Sequence, residues 1–345
     1  MTPAPEHPHR HVASAVVPWV LRTAQLGSHG LSEAQTCWGG TVAGVPAPGA
    51  RPEALPADAD ARIAATALRL APGCVVGGWA AARVHERAAH RDDLTLFTGE
   101  VWHGAQDQRL VRASSSARVL VCAPRSARLR PGDHARIFRS TVPATDRAVV
   151  DGIPVTAAVR TAFDLARLWS PPAAVAAVDR LLHLGVVDLA EVRAMALARH
   201  RWRGRPSAIQ VLERVDAGAE SPQESALRLL WLDAGLPRPR CNPVIRDAHG
   251  AFVARVDLLD PDVGVVGEYD DPHRSTAARR AGAPHREDDL RRQRSLDELG
   301  LVVVRATAAD LATEPGSAAW QRRLKRAYRS RRTSHGTPRW QVTDE

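Results

Sequence analysis

Arg255-Val-Asp-Leu-Leu-Asp-Pro-Asp-Val-Gly-Val-Val-Gly-Glu-Tyr-Asp-Asp-Pro-His273 is the stretch whose reading decides the fold of this 345-residue chain. Two apolar runs, Val253 to Leu259 and Val263 to Tyr269, flank the turn signal Asp260-Pro261-Asp262 and predict a β-hairpin. If the hairpin is symmetric about the Asp262–Val263 bond, residues whose numbers sum to 525 lie opposite each other. Asp257 then faces Glu268, and Arg255 faces Asp270. Side chains alternate across a strand, so these four share one face, and Val256, Leu258, Val265 and Tyr269 form a core on the other. Opposed carboxylates with Cβ atoms roughly 4.5–5.5 Å apart repel each other. Such a pair is tolerated when a cation or a shared proton compensates, which makes this face a candidate metal site. The alternative is a solvated polar face, or a register slipped by one residue.

The rest of the chain bounds what that site can serve. Its length allows two or three domains. No run of about 18 apolar residues predicts a membrane span, and Met1 to His11 has no apolar core of a secretory signal. Cys37, Cys74, Cys122 and Cys241 stand far apart and form no CxxC pair, so neither a zinc ribbon nor a disulfide framework is expected, and a cytoplasmic setting is. The net charge of +9 is concentrated: residues 321–332 hold seven basic residues and no acid, and without them the balance falls to +2. Such a patch binds phosphates or is a solvated helix end.

Residues 1–57 read as a poorly ordered Pro/His-rich lead followed by two short helices around Gly27–Gly30 and a Gly/Pro/Ala-rich stretch. Residues 58–200 read as an α+β domain. It has helices near 58–72 and after Gly78, strands at 94–98, 118–123 and 135–142, a short strand at Gly152–Val155, a helix capped by Thr156, and helices near 172–184 and 188–199. Residues 201–330 form a third block, a mixed sheet flanked by helices, and 331–345 a disordered tail. The fold class is mixed α+β. Within the third block, Ser221-Pro222-Gln223-Glu224 is a capping box opening a helix that stops at Gly235. Glu224 is therefore either a cap alone or a helix-borne carboxylate aimed at the Asp257/Glu268 face. A hairpin around Asp247–Gly250, a charged helix from Arg286 to Gly300, a strand from Leu301, a cap at Thr307 and a basic helix at 318–329 complete the order.

Two resemblances sit on particular residues. Glu224-Ser225, Val256-Asp257, Glu268-Tyr269-Asp270, His273, Asp289-x-x-Arg292-x-x-x-Leu296-x-x-x-Gly300 and Val303-Val304-Arg305 form an ordered series. It resembles the very-short-patch-repair-endonuclease-like branch of the PD-(D/E)xK nuclease superfamily, over about residues 218–312. Gly78-Trp79-Ala80-Ala81-Ala82-Arg83-Val84-His85, Asp151-Gly152-Ile153-Pro154-Val155-Thr156, Arg160-Thr161 and Asp164-Leu165-Ala166 resemble AbiEi-type antitoxin-related proteins of actinobacteria.

The first resemblance implies Mg²⁺-dependent hydrolysis of DNA phosphodiesters, in defence or repair. Asp257 and Glu268 are then the metal ligands, Asp270 is a third ligand or a group that supports them, Glu224 is a helix-borne partner, and His273 is a general base or acid, or else a plain loop histidine. Arg292, Arg305, Arg322, Arg323, Lys325 and Arg326 are expected to face nucleic acid. Asp270 stands at the superfamily's lysine position and Asp271 where a glycine is usual. The second resemblance implies an antitoxin-like, DNA-binding regulator with a degenerate nuclease fold and a cognate toxin, and makes the helical part of residues 1–57 a degenerate winged-helix-like segment.

Overall fold

The computed structural model describes residues 59–90, 97, 118–129, 135–270, 285–332 and 339–343. The 1–57 segment, the loop at 274–284, Asp271 and His273 lie outside the described residues, as does all but Phe97 of the strand expected at 94–98. The chain divides into two compact units: one takes its described residues from 59–168 and 184–209, the other from 169–183 and 210–343. The helix around 172–184 thus belongs to the second unit. Both units mix helices with mixed sheets, an α+β architecture. Among the described residues no helix is long and apolar enough to cross a membrane.

In the first unit, α1 (Ala59–Ala67), β1 (Val75–Gly77), α2 (Gly78–Ala89), β2 (Val119–Ala123), β3 (Ala135–Arg139), β4 (Arg147–Val150) and β5 (Ile153–Thr156) precede α3 (Ala158–Leu168) and α5 (Leu189–Ala198). The sheet order is β3-β2-β1-β5-β4, with β1/β5 and β2/β3 parallel and the other pairs antiparallel. Asp188 caps α5 through Ala190 N–H at 2.7 Å. Thr156 is not the helix cap: it ends β5, and its hydroxyl lies 2.6 Å from that of Thr161.

In the second unit, α4 (Pro171–His183) is joined by α7 (Pro222–Asp233), β6 (Arg240–Cys241), β7 (Val244–Asp247), β8 (Phe252–Arg255), β9 (Leu258–Asp260), β10 (Val265–Tyr269), α8 (His285–Glu298), β11 (Val302–Ala306), α9 (Ala308–Ala312), α10 (Glu314–Arg332) and β12 (Trp340–Thr343). A further helix, α6 (Arg205–Leu212), spans the boundary between the units. A four-stranded sheet, β11-β10-β9-β6, has β10 and β11 parallel and the rest antiparallel; a three-stranded sheet runs β12-β7-β8.

One face of the larger sheet packs Leu258, Val265 and Val304 against Leu227 and Trp231 of α7 and Trp320, Leu324 and Tyr328 of α10. The other packs Leu259 and Val266 against Leu296 of α8 and Ile245, Ala254 and Trp340 of the smaller sheet. Gly267 is the close approach: a Cβ there would meet Trp231 Cζ3 at 3.1 Å.

The hairpin keeps the expected register but not the expected strand. Leu258, Leu259 and Asp260 pair with Gly267, Val266 and Val265, sums of 525 throughout. The run from Val253 to Leu259, however, is two strands. β8 ends at Arg255, paired to β7 opposite Val244, and β9 begins at Leu258 in the other sheet. Val256, expected with Leu258, packs on the opposite side of the sheet from it, because the chain changes sheets between them. The turn is also longer, closing at Gly264 with φ +67°. The tail expected to be disordered contains β12, which pairs antiparallel with β7.

Candidate functional site

The sheet change places Asp257 between two strands. Asp257 C=O accepts from Asn242 N–H at 2.9 Å. Its Oδ2 accepts from Tyr269 N–H at 2.7 Å, so a side chain makes the rung next to the backbone ladder. The carboxylate is pushed up to about 6. Burial is the main cause; Glu224 and Glu268 add to it, while the Tyr269 N–H and Arg292 oppose it. Glu268, on β10, is buried, and its Oε1 accepts from Arg292 at 2.5 Å. The same Arg292 Nη2 donates to Arg255 C=O at 2.7 Å. Arg292 lies four residues before Leu296, so α8 brings it to the sheet side.

Glu224 is buried at the start of α7, and both its oxygens are engaged. Oε1 accepts from Ser221 Oγ at 2.8 Å; Oε2 accepts from Glu220 N–H at 2.9 Å and Asn242 Nδ2 at 2.6 Å. Ser221 Oγ in turn accepts from Glu224 N–H at 3.2 Å, the N-cap bond. Glu224 is therefore a cap, and it also lies near enough to raise the Asp257 pKa.

Among the described residues, the other expected ones add no carboxylate to this cluster. Asp270 is exposed just past β10, where its N–H donates to Ala306 C=O at 2.8 Å. Arg255 does not face it: Arg255 forms an ion pair with Glu220. Arg305 is exposed, with Nη2 3.1 Å from Gln293 Oε1. Arg323 donates to Asp310 Oδ2 at 3.0 Å, while Arg322, Lys325 and Arg326 are exposed on α10. Arg292, expected at a nucleic-acid surface, is instead the counter-ion of Glu268. Asn242 was not expected; a positive φ of 52°, which asparagine tolerates, lets it reach Glu224. Beside the cluster lies a cleft of about 510 Å³ lined in part by His183, Arg238 and Asn242. Its Arg238 and Arg255 are paired with Asp216 and Glu220.

Carboxylates suit Mg²⁺ in kind. Among the described residues, however, no group of three His, Cys, Asp or Glu side chains could share an ion. The Arg292 guanidinium already lies on Glu268, and Glu224 has no oxygen left over. These residues do not fit a preformed Mg²⁺ site. What they can do is hold a proton on Asp257 or bind a cationic group beside it.

The first unit turns its motif residues inward. Arg160, fully buried, donates to Asp146 and Asp164, each at 2.9 Å. Arg167 donates to Asp164 at 2.7 Å and Arg199 to Asp146 at 2.9 Å. All three guanidiniums surround Trp202, 4.4, 5.1 and 5.2 Å from its ring centroid. Arg83 pairs with Asp60, and His85 Nε2 lies 2.8 Å from Thr156 C=O. Burial lowers the pKa of His85 and favours its neutral form.

Residues 94–213 match the family described as the AbiEi antitoxin C-terminal domain. The chain is 33% identical over 167 residues to the uncharacterized proteins MT2308 and Rv2248 of Mycobacterium tuberculosis, covering 48% of itself and 59% of theirs. It thus spans less than two thirds of those relatives. No solved structure matches.

Proposed function

We propose that this chain is an antitoxin-like, DNA-binding regulator that does not cleave its target. The observation that carries the reading is the match of residues 94–213 to the AbiEi antitoxin C-terminal domain, a stretch that ends before the carboxylate cluster. The geometry of the second unit supports the non-cleaving half. Its three neighbouring carboxylates are answered by Arg292, by a helix cap and by a backbone N–H. A hydrolase of the implied kind keeps its carboxylates open to metal and water. A cognate toxin is the protein partner this reading calls for.

The test is duplex binding measured against salt, beside plasmid incubation with Mg²⁺ or Mn²⁺. Salt-sensitive binding with intact plasmid is the expected result. Nicking by the wild type that disappears in Asp257→Ala would replace the regulator with a metal-dependent endonuclease.

A further inference from the structure

The C-terminal helix α10 carries two opposed faces. Trp320, Leu324, Ala327 and Tyr328 are buried in the core of the second unit. Arg322, Lys325, Arg326 and Arg329 are exposed. At about 100° per residue these four cations fall within roughly 100° of the helix circumference, opposite the buried stripe. From Arg322 to Arg329 they extend about 10 Å along the axis at ~1.5 Å per residue. Their neighbours are tied down: Arg323 by Asp310 at 3.0 Å, and Arg331 by Val263 C=O at 2.9 Å. The helix itself is anchored by Tyr328 Oη donating to Asp260 Oδ2 at 2.6 Å.

We infer that this exposed face of α10 is a docking surface for the phosphate backbone of duplex DNA. The inference rests on the DNA-binding half of the proposed function and says where the contact is made. Three guanidiniums and an ammonium on one rigid face complement a polyanion, and guanidinium forks suit phosphate oxygens. An acidic membrane surface is disfavoured, because a helix that lies on a bilayer inserts its apolar face, and here that face is in the core. Single strands are disfavoured as well. They are held by stacking on exposed aromatics, and the aromatics of α10, Trp320 and Tyr328, are buried. Backbone contacts of this kind carry no base sequence information, so they supply affinity and leave sequence choice to another part of the chain.

The test uses the full chain and the quadruple variant Arg322→Gln, Lys325→Gln, Arg326→Gln, Arg329→Gln. Fluorescence anisotropy on a labelled duplex is read from low to moderate salt. Each lost phosphate contact flattens the slope of log K against log salt by about 0.9, so the variant should lose about 3 to 4 of that slope, with at least ~10²-fold weaker binding near 0.1 M salt. A companion in which the three arginines become lysine should keep most of the slope. Because all four side chains are exposed, an unchanged melting curve excludes misfolding as the cause. If the wild type binds and the quadruple variant binds identically, the surface assignment is overturned while the DNA-binding reading stands. If the wild type binds no duplex, both fall. Tighter binding to an RNA duplex, or to phosphatidylserine vesicles, that the quadruple variant loses would overturn the assignment to DNA.

Discussion

The two units handle charge in opposite ways. Around Trp202, three guanidiniums meet two carboxylates, Asp146 and Asp164, each carboxylate bridged by two arginines. Around Asp257, three carboxylates meet the Arg292 guanidinium, with the positive charge of Arg255 also acting on Glu224 and Asp257, and the rest of the compensation comes from neutral donors. The first arrangement is closed, and its charges hold elements of the unit together. The second keeps a carboxyl that burial raises to about 6, with Glu224 and Glu268 adding to the shift. Motif residues thus mean different things in the two places: in the first unit Arg160 and Asp164 are architecture, and in the second Asp257 remains chemically responsive.

The largest expected effect comes from breaking the closed network. Arg160→Met takes one of two arginines from each of the buried Asp146 and Asp164 and should cost about 3–5 kcal/mol in urea unfolding. A loss under ~1 kcal/mol would mean that the network is not the clamp described. Trp231→Ala, which empties the space against Gly267 and Tyr328, belongs in the same range, about 3–5 kcal/mol, and serves as the apolar benchmark.

Arg292→Met should cost less, about 1–2 kcal/mol at neutral pH, because the guanidinium is 35% exposed and partly screened by solvent. Combining it with Glu268→Gln should recover much of the loss, since the stranded charge goes too; a double variant no better than the single would argue against the pairing.

Of similar size is the pH signature of Asp257. Its native pKa of about 6 lies above the ordinary 3.8, so the folded state binds the proton more tightly than the unfolded chain. The resulting stability is fully present below about pH 4 and is lost as pH rises through about 6. Relative to wild type, Asp257→Asn should therefore gain stability between pH 4.5 and 7. Parallel urea curves at the two pH values would show no such gain if the carboxyl is not elevated. The smallest effect expected is that of Mg²⁺: with Arg292 in place, millimolar ion should move the melting temperature by less than about 1 °C, and a larger rise would indicate a site that Arg292 does not block.

Much of the second unit was legible because local chemistry governs it. The Ser221 cap, the Gly235 and Gly300 stops, the Thr307 capping box and the 525 register follow from short-range rules. The break at Val256-Asp257 was not legible. Alternation continues straight through it, and periodicity does not record which sheet a strand joins. Arg292 was misplaced for a related reason: a charged residue on a charged helix reads as surface until the sheet beside it supplies Glu268. The interior role of Arg160 was also hidden, since a charged residue is buried only when its partners are in place, and one of them, Asp146, comes from another element. Strand β12 is four residues long, and its partner β7 lies far away in the sequence.

That last strand sets a timetable. Val244 pairs with Thr343, and Asp247 with Trp340, 99 and 93 positions apart in the sequence. Contacts so far apart in sequence form slowly, since a long loop must close before any rung is gained. During synthesis the β7–β8 hairpin therefore emerges long before its third strand. Two strands alone are marginal in water, so this sheet is complete only once residues 340–343 reach the edge of β7.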